Sequence, residues 1–138
     1  MLTPRVHRTP KARPVFFRTG GSNVASCLVP QVIYEYWSVA TRPSEQNGLG
    51  ISPQEADRDV GDFLKAFLLL RDERAIYEQW LELVRKHQVK GKSVHDTRLV
   101  AAMMRHGIDH ILTLDEADFV RFAGLTVLTP SQVLASRG

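Results

Sequence analysis

Four stretches of this chain carry apolar residues at the three- and four-residue spacing of a helix, and short unbroken apolar runs lie between them. Pro30 opens the first stretch, at a position where its missing N–H costs nothing. That helix covers about residues 31–41, with Val32, Ile33, Tyr36, Trp37, Val39 and Ala40 apolar. It is apolar nearly all round, so deep burial is expected. Ser52-Pro53-Gln54-Glu55 spells a second helix start: a cap, a proline at the first position, and a glutamate three residues after the cap. This helix runs to about Leu64, with Ala56, Val60, Phe63 and Leu64 on one face. A third covers about 74–87 through Ile76, Tyr77, Trp80, Leu81, Leu83 and Val84. The fourth covers about 94–106, with Leu99, Val100, Met103 and Met104 facing inward and Gly107 as its stop.

The remaining apolar runs are of strand length. Val15–Phe17, Ala25–Val29, Ile111–Leu114 and Leu125–Leu128 predict strands, and Phe67–Leu70 a strand or a helix end. Gly20-Gly21-Ser22-Asn23 predicts a turn, and Asp118–Phe122 a helical turn. Strands alternating with helices predict an α/β fold with a parallel sheet.

Composition narrows the class. At 138 residues, 43% hydrophobic and 24% charged, the chain has the make-up of one globular domain. That excludes a disordered chain, a collagen-like repeat and a disulfide scaffold. The longest apolar run, Leu99–Met104, falls far short of the roughly 20 residues of a membrane span. The single cysteine, Cys27, allows no internal disulfide and fits a reducing compartment, which makes the expected location cytoplasmic. Cys27 reads as a small buried residue.

The net charge of +3 is unevenly spread. Residues 1–34 hold Arg5, Arg8, Lys11, Arg13 and Arg18 and no acid, a charge of +5, whereas the rest of the chain sums to −2. Residues 1–14, with Pro4, Pro10 and Pro14 among four basic residues, read as a flexible basic arm ahead of a domain over 15–138. No apolar core of a signal peptide follows those charges.

Two nucleotide-binding lookalikes fail on context. Asp115-Glu116-Ala117-Asp118 matches a helicase motif in a chain too short for a helicase core. Gly91-Lys92-Ser93 ends like a phosphate loop, but Lys86 stands where the loop's first glycine belongs. His106 and His110 have a metal-ligand spacing broken by Gly107 and read as surface histidines.

The carboxylates carry more. Glu35 lies in the middle of an apolar helix and needs a partner or a polar cavity. Asp96 lies in the first turn of the fourth helix, where it could also simply favour the helix dipole. Asp115 follows the strand Ile111–Leu114, at the carboxyl end where α/β sheets bind ligands. Acids from separate segments can gather there around a cation, and oxygen ligands suit Mg²⁺ or Mn²⁺.

Three segments resemble the PIN domain family. Pro30-Gln31-Val32-Ile33-Tyr34-Glu35-Tyr36-Trp37, with Ala40-Thr41-Arg42-Pro43, is similar to the helix carrying that family's second acid. Gly91 to Ala101, with Val94-His95-Asp96-Thr97-Arg98, is similar to the segment of the third. His110-Ile111-Leu112-Thr113-Leu114-Asp115, then Asp118-Phe119, is similar to the strand and turn of the fourth. The match spans about residues 28–130, and its order and spacing resemble the toxin branch, of the VapBC toxin–antitoxin type.

The resemblance implies a three-layer α/β fold with a parallel sheet and a Mg²⁺- or Mn²⁺-dependent endoribonuclease. It further implies a cognate antitoxin as partner and a homodimer. Glu35, Asp96 and Asp115 would be the catalytic, metal-binding acids. Asp118 stands behind them, because members differ in which acid of this turn contributes, and Thr113 would support the site. The family's opening strand, which ends in an aspartate, should precede Leu28-Val29, yet no Asp or Glu occurs there. The expectation is an N-terminally truncated or degenerate domain in which Val15–Phe17 forms an antiparallel hairpin. Its activity would be reduced, or lost in favour of binding antitoxin or RNA.

Overall fold

The computed structural model describes residues 15–20, 23–113, 115–129 and 131–132. The arm at 1–14, Gly21-Ser22 of the first turn, Leu114, Pro130 and the last six residues lie outside the described residues. Five strands form one sheet: β1 (Val15–Gly20), β2 (Asn23–Leu28), β3 (Leu68–Leu69), β4 (His110–Leu112) and β5 (Thr126–Leu128), in the order β3-β2-β1-β4-β5. β2 and β3 are parallel, as are β4 and β5. β1 is antiparallel to both of its neighbours, β2 and β4. Four strands therefore share one direction, and β1 runs against them in the centre. The expected hairpin is present and β1 is longer than its apolar run, reaching Gly20 and pairing with β4 on its other side. The register sets Val15 beside Leu112 and Phe16 beside Cys27. β1 thus begins at the edge where β2 and β4 end.

Four α-helices connect the strands: α1 (Pro30–Thr41), α2 (Pro53–Ala66), α3 (Arg74–Lys86) and α4 (Ser93–Arg105). The α/β fold class read from the alternation holds. Ser52 caps α2 as its motif requires, the Oγ accepting from the Glu55 N–H at 3.1 Å, a contact worth about 1 kcal/mol. α4 ends at Gly107, φ +67°, where the Ile108 N–H donates to the Met103 carbonyl at 2.8 Å. That bond closes a Schellman-type C-terminus that a glycine adopts without strain. Among the described residues, no helix is long and apolar enough to cross a membrane.

The main core joins Cys27, Leu28 and Val29 with Ile76, Leu99, Val100, Met103, Ile111, Phe119 and Phe122. A smaller cluster of Ala40, Ile51 and Ala56 ties the end of α1 to the start of α2.

Several apolar positions differ from expectation. α1 is not deeply buried: Gln31, Val32 and Ala40 face inward, while Tyr34 is 65% and Trp37 36% exposed. Met104, Tyr77 and Leu64 are likewise exposed. Each follows an inward-facing residue by one position, and 100° of helical rotation carries it off the core stripe. The helical turn expected at Asp118–Phe122 lies earlier, as a 3₁₀ helix at Glu116–Asp118. Phe119 and Phe122 are both drawn into the core, which stops the turn from extending.

The loop after α1 is tight. Gly48 packs on the backbone of Arg42, and a Cβ there would sit 2.0 Å from the Arg42 carbonyl oxygen. Gly48→Ala should therefore cost at least about 2 kcal/mol in urea unfolding. An alanine variant as stable as wild type would show that the loop does not hold this close approach.

Candidate metal-binding and nuclease site

Of the three acids singled out from the sequence, two follow the carboxyl ends of strands of one direction, and the third lies on a helix that follows another helix. α1 starts directly after β2 and bears Glu35 in its second turn, half-buried. β4 ends at Leu112, and Asp115 follows three residues later, also half-buried. Asp96 lies in the first turn of α4, where the helix dipole favours a carboxylate. Asp118 is exposed in the 3₁₀ helix and is tied to Asp115 by backbone, its N–H donating to the Asp115 carbonyl at 3.1 Å.

The first turn of α4 is held from two sides. The Trp80 indole Nε1 on α3 donates to the Val94 carbonyl at 2.8 Å. The Gln31 amide Nε2 on α1 donates to the His95 carbonyl, also at 2.8 Å. The same Nε2 lies 3.5 Å from the Glu35 Oε1. Gln31 thus bridges the glutamate of α1 and the residue preceding Asp96. Gln31 is buried and its Oε1 accepts from Arg98 Nη1 at 3.1 Å. Arg98 in turn pairs with Asp72, Nη2 to Oδ1 at 3.2 Å. Sequence reasoning missed Gln31, Arg98 and Asp72. The available signal was a polar residue in the first turn of an apolar helix, four positions before Glu35.

Thr113 is 1% exposed and its Oγ1 accepts from the Asp115 N–H at 3.0 Å. The Thr113 N–H donates to the Leu128 carbonyl at 2.9 Å, which fixes it to β5.

The other motifs resolve without chemistry. α3, a helix, precedes Gly91-Lys92-Ser93, so no strand leads into a phosphate loop there. His106 contacts the Arg71 carbonyl at 2.9 Å and His110 the Asp109 carboxylate at 2.6 Å. The two rings thus take separate partners. Cys27 is buried.

Carboxylate oxygens at a sheet edge suit a hard divalent cation of the Mg²⁺ type, which keeps several waters and takes one or two protein carboxylates. Among the described residues, no three His, Cys, Asp or Glu side chains gather closely enough to hold an ion.

The PIN domain family model matches residues 25–125, most of the chain, and the protein belongs to that family. No curated protein and no solved structure matches it. PIN domains are nucleases that use divalent metal ions, so the fold and the family place the chain in a nuclease class.

Releasing the Thr113 hydroxyl tests the support of Asp115. Thr113→Val should speed amide exchange at Asp115 about fivefold, equivalent to ~1 kcal/mol for one hydrogen bond, and Thr113→Ser should not. Equal exchange in both variants would show that the hydroxyl does not hold this N–H.

Proposed function

We propose that this chain is an endoribonuclease of the VapC toxin type that hydrolyses RNA phosphodiester bonds with Mg²⁺ or Mn²⁺, at low activity. The observation that carries the reading is the bridge through Gln31 between Glu35 on α1 and the start of α4 that bears Asp96. It lies at the carboxyl end of the strands, within the segment that matches the PIN family. Glu35, Asp96 and Asp115 would hold the ion, with Asp118 beside them. A bound ion would activate water and offset charge on the phosphodiester. Thr113 keeps the Asp115 backbone in place, and Gln31 keeps α1 and α4 in step. By the same reading the chain is cytoplasmic, pairs with an antitoxin and forms a homodimer.

The low activity follows from the centre of the sheet. Between β2 and β4, the start of the antiparallel β1 meets the crevice. Residues 1–34 contain no carboxylate, so no acid enters the site from that position. One fewer carboxylate weakens hold on the cation.

The full chain incubated with RNA and Mg²⁺ or Mn²⁺ should cleave it. EDTA should stop the cleavage, and Asp96→Asn should lower it at least about a hundredfold, the scale of losing a stabilising group at the reacting centre. Cleavage that survives both EDTA and Asp96→Asn overturns the reading.

A second reading is a non-catalytic module that binds antitoxin or RNA. It is favoured by the antiparallel β1 and by the lack of a three-donor group among the described residues. It expects RNA bound equally by wild type and Asp96→Asn, with no cleavage by either.

A further inference from the structure

We propose that Gln31 is a positioning residue: its buried amide sets the Glu35 carboxylate against the turn of α4 that carries Asp96. The inference deepens the nuclease reading and rests on it for its functional meaning.

The orientation of the amide is fixed by its partners. Its oxygen accepts from Arg98 Nη1 at 3.1 Å, and its nitrogen donates to the His95 carbonyl at 2.8 Å. Turned over, it would set an N–H₂ against a guanidinium and an oxygen against a carbonyl. The residue is 8% exposed, so water cannot readily replace either contact. With one amide hydrogen on His95, the other faces Glu35 at 3.5 Å. That distance is at the long limit of a hydrogen bond, so the amide steers the carboxylate through a weak contact. Arg98 is itself held by Asp72 at 3.2 Å, which extends the relay to the loop before α3. Three segments, the loop that holds Asp72, α4 through Arg98 and α1 through Gln31 and Glu35, are thereby registered on one another. A carboxamide is the side chain that can meet both demands here. Leucine keeps the volume and loses both contacts. Glutamate keeps the acceptor for Arg98 but sets a second carboxylate against Glu35 and the carbonyl.

The test is Mn²⁺ binding by the full chain, read from the paramagnetic resonance of the unbound ion. Thermal unfolding and the carbonyl-carbon resonance of His95 are followed beside it. Gln31→Leu and Gln31→Met keep the volume, add no charge and lose both contacts, so each should melt below wild type. The Mn²⁺ affinity of each should fall about tenfold, as for other residues that orient metal ligands, and the His95 resonance should move. Where one does not fold, the other, or the shorter amide of Gln31→Asn, decides. Wild-type affinity in a folded variant overturns the proposal, as does an unmoved His95 resonance. If wild type binds no Mn²⁺, or Asp96→Asn binds it as wild type does, the nuclease reading falls instead. The His95 resonance then still decides for or against Gln31 as the tie between the helices.

Discussion

Two side chains from different helices donate into consecutive carbonyls at the start of α4, Trp80 into Val94 and Gln31 into His95. Both carbonyls belong to the helix's own first turn, so these donors act on its register as well as its position. A helix pinned at two successive peptides cannot rotate. The pinned rotation turns Leu99, Val100 and Met103 into the core and leaves Asp96 half-buried in the first turn. Core packing and acid placement are thus two consequences of one constraint. Thr97 adds to it from within, its hydroxyl donating to the Ser93 carbonyl at 2.7 Å.

The acids are unequally supported. Glu35 and Asp96 come from helices joined through Gln31, whereas Asp115 comes from the far side of β1, fixed by Thr113 to β5. The two sides of the crevice are therefore built by separate local networks. The strand between them contributes backbone pairing along its length and no carboxylate.

Much of this was legible in the sequence where local chemistry decides structure. Ser52-Pro53 and Gly107 mark helix ends because caps and positive φ are local properties, and both are found where expected. The hairpin of Val15–Phe17 was legible because a short turn permits only an antiparallel neighbour. Its pairing with β4 was not, since that contact depends on what else competes for the centre of the sheet. The burial of α1 was overestimated because Tyr34 and Trp37 are apolar by type but lie outside the stripe that meets the core. The relay from Asp72 to Glu35 escaped because its members are far apart in sequence and polar, so no periodicity reveals them.

The sheet order also bears on how the molecule comes together. β2 with β3 and β4 with β5 are each parallel pairs, and β1 is what lies between the two pairs. Its hairpin with β2 closes over a few residues, but its ladder to β4 sets Val15 beside Leu112, near opposite ends of the chain. Closing so long a loop carries a large entropic cost that local contacts do not share. The β1–β4 seam is thus the pairing that joins the two parallel pairs into one sheet. It also sets the strand that precedes α1 and the strand that precedes Asp115 on either side of β1.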